Sequence, residues 1–236
     1  MTNYILWISM ALLVAGCASN ATYTAADGTV ISTSRSAPER MVDVGIERSA
    51  LKGLDNIVGL TSSNHRVSIT AFRGEVLLTG EVPSEDIKQR IGTMVESIKE
   101  VTEVFNYLTV ADTPKSQSHT VHENYLKTKI ESKLVTSKIK SSQYHIVVRN
   151  DIAYVMGYLT KAQQDKVIEA VTSTDGLAGL YLLSTLLLTE EELEAGSYTQ
   201  ESNYPQTGSY PDNEAAVSQS STQSSYVQLY QNTDNP

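Results

Sequence analysis

The residues best suited to chemistry lie in one basic segment near the middle of the chain. Between residues 119 and 143 five lysines accompany two glutamates, and Tyr125, Lys129 and Lys133 recur at the spacing of one helix face. A tyrosine beside two long lysine side chains suits the headgroup layer of an anionic bilayer, where each lysine contributes about 1 kcal/mol. The same pattern also fits a solvated lysine face on a surface helix, and charge alone does not separate these two interpretations.

Cys17 is a candidate lipidation site. It is the only cysteine in the chain and follows an apolar run, Tyr4–Ala15, that is too short to cross a bilayer, which takes about 20 residues. Small residues stand directly before it, although residues 1–10 contain no Lys or Arg. We predict a lipoprotein signal peptide at residues 1–16, with a diacylglyceryl group on the Cys17 thiol and an acyl chain such as palmitate on its amine. An ordinary signal peptide with an incidental cysteine is the alternative.

Signals for an enzyme or a metal site are weak. His119, His122 and Glu123 stand close together, but the segment supplies no third ligand at helical spacing and no nearby cysteine. We interpret them as solvated linker residues and predict no metal and no cofactor. The chain has no Gly-rich phosphate loop, nucleophile elbow or paired-carboxylate pattern, which argues against an enzyme. Residues 1–188 are nearly neutral in charge, which argues against nucleic-acid binding.

A hairpin, a helix and a strand form the unit on which the chain is built. Alternating apolar residues from Val67 to Leu78 surround a turn at Arg73-Gly74 and predict a β-hairpin. Apolar residues then recur at helical spacing after Ser84, the predicted N-cap, and a closing strand follows near Leu108. The segment before the hairpin predicts a helix that buries Ile46, Ala50 and Leu54. The unit is therefore αββαβ.

The same pattern returns at an offset of 77 residues. Gly80 corresponds to Gly157, and Thr160 with Gln163 forms a capping box at the start of the later helix. The helix before the second hairpin is predicted to bury Leu126, Ile130 and Leu134. We predict an α+β chain with two αββαβ units, each a three-stranded sheet with two helices, at residues 41–110 and 119–188. Because a unit of about 70 residues buries barely enough surface by itself, the two units should pack together.

The segments that flank the two units carry little hydrophobic pattern. Residues 17–40 are rich in Ala, Ser and Thr, and we predict a lipidated tether. Residues 189–236 hold eight acidic residues with no Lys or Arg, and from about Gly196 they are mostly Ser, Gln, Asn, Thr and Tyr. Such a composition cannot bury enough apolar surface to offset the entropy of ordering, so we predict a disordered acidic tail.

The αββαβ repeat resembles the BON domain. The resemblance depends on the helix that ends at Leu54 or Leu134, on the run Gly-Glu-Val-Leu-Leu-Thr-Gly at 74–80 with Val-Pro after it, and on Glu-Val-Phe-Asn at 103–106. With the lipoprotein start, the chain up to about residue 188 resembles the DolP family of dual-BON outer-membrane lipoproteins. This resemblance implies tandem BON domains. Ala18 after the cysteine, as in similar proteobacterial lipoproteins, implies sorting to the outer membrane, with the body facing the periplasm.

The resemblance also implies a lipid site and a role in envelope integrity. In the DolP family the first helix of the second BON domain binds anionic phospholipid, chiefly phosphatidylglycerol, and an aromatic residue at its start dips into the membrane. The family's Trp-Ile-Thr-Thr-Lys-Val corresponds to residues 125–130 here. With Lys133 added from the helical spacing, the candidate lipid-binding residues are Tyr125, Leu126, Lys127, Lys129 and Lys133. The alternatives are a scaffold for an outer-membrane assembly or secretin complex, with the first unit's exposed face as the contact, and an osmotic-stress factor of the periplasm.

Overall fold

The computed structural model describes residues 22–25, 30–188 and 225–228, and within them the αββαβ order occurs twice. The first unit consists of α1 (Ala37–Leu54), β3 (Arg66–Phe72), β4 (Glu75–Val82), α2 (Glu85–Glu96) and β5 (Glu103–Val110). The second consists of α3 (Gln117–Thr136), β6 (Tyr144–Arg149), β7 (Ile152–Thr160), α4 (Lys161–Thr172) and β8 (Gly179–Leu188). Short strands β1 (Thr22–Ala25), β2 (Val30–Ser32) and β9 (Ser225–Gln228) flank them. The predicted α+β class and its repeat are therefore confirmed.

Each unit reverses its chain through two residues with a left-handed backbone. Arg73 and Gly74 have φ of 55° and 82°, and Asn150 and Asp151 have φ of 53° and 64°. A two-residue hairpin turn of type I′ needs positive φ at both positions, which Gly, Asn and Asp adopt most readily. β3 pairs antiparallel with β4, and β4 pairs parallel with β5. The second unit repeats this arrangement with β6, β7 and β8.

Polar caps fix where the helices begin. The Ser84 hydroxyl accepts the Ile87 N–H at 3.3 Å, and Thr160 with Gln163 forms the predicted capping box at the start of α4. A further capping box joins Ser36 and Glu39. Because of this cap, α1 begins at residue 37, ahead of the predicted domain start at 41.

Two glycines of the repeat are required because the strands approach too closely for a side chain. A Cβ on Gly80 would lie 1.7 Å from the carbonyl oxygen of Arg66, and a Cβ on Gly157 would lie 2.6 Å from that of Gln143. Arg66 and Gln143 are themselves 77 residues apart, so the close approach repeats with the sequence. Gly80 also has φ of 115°, which side chains rarely adopt.

The two sheets pack on each other through the faces that their helices leave free. One apolar cluster joins Phe72, Leu77 and Phe105 of the first unit to Val147, Tyr154, Met156 and Leu183 of the second. The Tyr107 ring centroid lies 5.2 Å from that of Tyr154 and 4.5 Å from that of Tyr181. β4 is buried along its whole length, since its own unit covers one face and the second unit the other. The predicted packing of the units is confirmed.

The short flanking strands differ from the sequence prediction. β1 and β2, inside the predicted tether, pair with each other, and β1 continues onto the edge of β8 at Thr24 and Leu188. β9, inside the predicted disordered tail, pairs with Gly179–Leu182 of the same edge. A strand at the edge of a sheet offers unpaired N–H and C=O groups, and these segments satisfy them. The remainder of the predicted tail, the signal peptide and Cys17 lie outside the described residues.

Candidate membrane-contact helix

α3 opens the second unit and carries the predicted lipid-binding residues. Leu126, Ile130 and Leu134 recur every four residues, and all three are buried in the core of the second unit, as predicted. With this stripe facing inward, Tyr125, one position before Leu126, turns toward solvent. Tyr125 is accordingly 58% exposed.

A buried carboxylate holds the first half of α3 on the hairpin turn of its own unit. Glu123 stands three residues before Leu126, and its Oε1 atom accepts the backbone N–H of Asn150 at 2.9 Å. In α1, Asp43 stands three residues before Ile46 and accepts the Gly74 N–H at 3.1 Å. Both acids therefore serve the same contact in the two units. The prediction of Glu123 as a solvated linker residue is wrong, because α3 begins at residue 117 and places this side chain on its inward face.

Glu123 also belongs to a buried ion network that joins the two units. Arg66 of β3 donates to Glu81 at 2.8 and 3.0 Å and to Glu123 at 2.9 and 3.0 Å. Arg149 donates to Glu123 at 2.9 Å. Burial opposes ionisation of Glu81, but the hydrogen bonds from Arg66 and Asn150 and the positive charge of Arg66 together outweigh it and hold the pKa of Glu81 below its ordinary value. The network fixes α3 against the first unit.

The exposed Tyr125 ring and the half-buried Lys129 form a pair on α3. The Lys129 ammonium lies 5.6 Å from the centroid of the Tyr125 ring, within the range of a cation–π contact. The His122 ring centroid lies 6.5 Å from that of Tyr125. Lys129 has no ion pair with a carboxylate in the part of the chain that the structure describes. An exposed aromatic ring and an uncompensated ammonium thus stand side by side.

The other predicted lipid-binding residues are placed differently. Leu126 is 1% exposed and belongs to the core, so its side chain does not reach the surface. Lys127 lies 3.8 Å from Glu131 on the same helix. The Lys133 ammonium donates to the carbonyl of Ser173 at 2.6 Å and to the Thr174 hydroxyl at 2.8 Å. Lys133 therefore caps the end of α4, where a cation opposes the negative end of the helix dipole.

Two exposed valines extend the surface around Tyr125. Val121 and Val135, both on α3, are exposed, and neither was singled out from the sequence. Val121 precedes Tyr125 by one helical turn, a spacing that could have identified it. Over the 14 residues from Val121 to Val135 an α-helix rises about 21 Å. α3 therefore offers scattered apolar contacts along its outer side.

The histidines of α3 do not form part of a metal site in the described residues. His119 and His122 are exposed, and within the described ranges no three His, Cys, Asp or Glu side chains are placed to hold a metal ion. Among the described helices, including the 20-residue α3, none combines the length and apolarity that a membrane crossing requires.

Comparison with known proteins identifies one of the two units. Residues 52–112 match the BON domain family. The chain is 28% identical over 114 residues to the outer membrane lipoprotein DolP of Haemophilus influenzae, and 24% identical over 113 residues to a 21 kDa hemolysin of Actinobacillus pleuropneumoniae. Each match covers 48% of this chain and 58% of the relative. The matched part thus spans little more than half of either relative.

Solved structures give weaker matches. Two structures of CdsD, a structural protein of the type III secretion system of Chlamydia trachomatis, are 13% and 14% identical, with TM-scores of 0.25 and 0.27. They cover 60% and 68% of this chain and 96% and 99% of their own. TM-scores this low carry no argument. The family match identifies a BON domain at residues 52–112. α3 opens a second unit with the same αββαβ order.

Proposed function

We propose that this protein is a non-enzymatic, lipid-anchored component of the bacterial outer membrane, on its periplasmic face, and that α3 contacts anionic phospholipid there to support envelope integrity. The observation that carries the proposal is the exposed Tyr125 ring beside Lys129, whose ammonium has no carboxylate partner among the described residues. The name of the Haemophilus influenzae relative, an outer membrane lipoprotein, supports the location.

The geometry of α3 suits a helix that lies flat on a membrane. Tyrosine carries an apolar ring and a polar hydroxyl, and such residues favour the headgroup layer. Val121 and Val135 add apolar contact on either side of Tyr125. Lys129 supplies a charge that attracts anionic headgroups. Leu126 and Lys133 are committed to the fold, and Lys127 lines a cleft beside His145 on another side of α3. The proposed contact therefore consists of Tyr125 and Lys129.

A covalent anchor at Cys17 would keep α3 near the membrane. Each buried CH₂ of an acyl chain contributes about 0.8 kcal/mol, so several chains together hold a protein on a bilayer without a membrane-spanning helix. The α3 contact would then orient an already anchored protein, so modest affinity suffices. The proposed protein acts by binding and catalyses no reaction.

An NMR titration tests the α3 contact. A chain of residues 18–236 contains every described residue and omits Cys17 with its predicted acyl groups. Vesicles with phosphatidylglycerol should shift or broaden the amide signals of residues 121–135, whereas vesicles of phosphatidylcholine should leave them unchanged. Tyr125→Ser with Lys129→Glu should abolish the response. Lys166→Glu, the same charge change at an exposed position of α4, serves as the matched control.

Two results would overturn the proposal. If the amide signals of α3 do not change when anionic vesicles are added, the proposed lipid contact is wrong. A response confined to residues 41–110 on addition of an outer-membrane assembly or secretin protein would favour the scaffold function instead.

A further inference from the structure

α1 of the first unit presents a second surface that combines apolar and basic side chains. Met41 is 77% exposed and Leu51 is 52% exposed, and Val44 lies exposed between them. The exposed cations of the same helix are Arg40, Arg48 and Lys52. Arg48 and Lys52 are four residues apart and therefore neighbours on one face.

The acidic side chains of α1 are all engaged elsewhere and do not compensate these cations. Glu39 caps the helix by accepting the Ser36 N–H at 2.6 Å. Asp43 is buried against Arg35, and Glu47 accepts the Ala71 N–H at 2.9 Å. Within the described ranges Arg48 and Lys52 form no ion pair with any carboxylate. The outer side of α1 is therefore positive and apolar.

An open cavity of about 590 Å³ adjoins this part of α1. Its walls include the apolar side chains of Leu51, Leu60 and Val67, and Arg48 and Lys52 stand at the same site. Asp55 is the acidic residue of its lining, and His65 adds an imidazole. A volume in the range of about 300–1,000 Å³ is typical of cavities that bind small molecules. Cations beside an apolar wall match an amphiphile with an anionic head.

We infer that α1 is a second contact for an anionic phospholipid bilayer, separate from α3. Arg48 and Lys52 bind a lipid phosphate, which guanidinium and ammonium groups recognise through charge-assisted hydrogen bonds. Leu51 and Met41 enter the interfacial layer, as the apolar residues of amphipathic helices do at a membrane surface. Leu51 also lines the cavity, so the apolar part of the bound lipid has a wall to lie against.

The two contacts can be tested independently because they belong to different layers of the fold. α1 packs in the core of the first unit and α3 in the core of the second, and the two sheets lie between them. A substitution on one outer helix face therefore leaves the other in place. The inference goes beyond the proposed function and does not require the α3 contact.

Single tryptophans report each contact in the chain of residues 18–236, which contains no natural tryptophan. Leu51→Trp probes α1, Tyr125→Trp probes α3, and Val110→Trp is the matched control at an exposed position of β5. Vesicles with phosphatidylglycerol should shift the Leu51→Trp emission to shorter wavelength and leave the Val110→Trp emission unchanged. Adding Arg48→Glu and Lys52→Glu should weaken that binding about tenfold or more, whereas Lys99→Glu should not.

Each outcome separates the two contacts. If the emission of Leu51→Trp does not shift on addition of phosphatidylglycerol vesicles while that of Tyr125→Trp does, the inference is overturned and the proposed function stands. If only Leu51→Trp responds, the inference stands and the α3 contact fails. An equal response of Leu51→Trp to phosphatidylcholine vesicles would contradict recognition of an anionic lipid by Arg48 and Lys52.

Discussion

Glu75 lies at the contact between the two units and makes stability depend on pH. It is 6% exposed, and its Oε1 atom accepts a hydrogen bond from the Tyr158 hydroxyl at 3.1 Å. Its Oε2 atom is buried with no hydrogen-bond partner among the described residues. Burial raises the pKa of Glu75 to about 7; the Tyr158 hydrogen bond and Arg73 oppose the rise, and the negative charges of Glu103 and Asp43 add to it.

The direction of the pH effect follows from this raised pKa. In the unfolded chain Glu75 loses its proton near the ordinary pKa of 4.5, whereas in the folded chain it keeps the proton to about pH 7. The free energy of unfolding therefore falls as pH rises between these values and stays lower above them. A pKa rise from 4.5 to about 7 corresponds to a loss of about 3 kcal/mol.

His145 contributes a pH dependence of the opposite sign. Burial and, to a smaller extent, the positive charges of Lys127 and Arg35 lower the pKa of His145 to about 4. The stabilising contribution of neutral His145 is present above its ordinary pKa of 6.5 and is lost as pH falls toward 4. The two groups offset each other near pH 5 to 6.5 in the natural chain. A comparison with Glu75→Gln removes the His145 contribution, which both chains share.

Urea unfolding of residues 18–236 at several pH values between 5 and 8 measures the difference in the free energy of unfolding between the natural chain and Glu75→Gln. We expect Glu75→Gln to be more stable than the natural chain by less than about 1 kcal/mol near pH 5 and by about 3 kcal/mol at pH 8, because an amide carries no charge and still accepts from Tyr158. Glu96→Gln, an exposed position on α2, is the matched control and should show no such trend. A stability difference that stays constant with pH would refute the raised pKa.

Three further predictions concern the packing of the fold. Lys133→Met should lower the free energy of unfolding by about 1 kcal/mol because the end of α4 loses its cap, whereas Lys129→Met should change it by less than about 0.5 kcal/mol; equal losses of thermal stability would contradict the capping role. Gly80→Ala should lower the free energy of unfolding by more than about 3 kcal/mol because its Cβ has no space. Gly45→Ala, on the open side of α1, should raise the free energy of unfolding by up to about 1 kcal/mol, and urea unfolding measures both. Arg66→Met should lower the free energy of unfolding by about 3–5 kcal/mol because it leaves the buried Glu81 carboxylate without an ion-pair partner and Glu123 with Arg149 alone, and a loss below about 1 kcal/mol would contradict the ion network.

The repeat itself could be predicted from the sequence because its signals are local. Alternation of apolar residues, the turn at Arg73-Gly74 and the capping box at Thr160 each depend on residues only a few positions apart. The buried stripes of α1 and α3 likewise follow from helical spacing. The packing of the units followed from their small size.

The role of Lys133 could not be predicted, because its partners are distant in the sequence. Its ammonium contacts Ser173, 40 residues further along the chain, and helical spacing shows only that the lysine leaves the buried stripe. Glu123 binds Arg66, 57 residues earlier. A signal for Glu123 was present, since it stands three residues before Leu126 on the inward stripe. The edge of β8 that β1 and β9 cover is likewise defined only once the sheet has formed.

The exposed face of α3 was partly accessible from the sequence. The spacing placed Tyr125 and Lys129 together, and the structure brings the ring and the ammonium to 5.6 Å. The structure also shows that Val121 and Val135, which do not belong to the predicted buried stripe of α3, are exposed. Whether an exposed apolar residue meets solvent or lipid is a property of its surroundings, which neither periodicity nor charge encodes.

The contact between α3 and anionic lipid is tested most directly by paramagnetic relaxation from nitroxide groups on the lipid headgroups of nanodiscs. With phosphatidylglycerol discs we expect the amides of Val121–Lys129 to lose intensity, the amides of α4 to keep theirs, and phosphatidylcholine discs to have no effect. If the α3 amides keep full intensity on phosphatidylglycerol discs to which the chain binds, the proposed contact is contradicted.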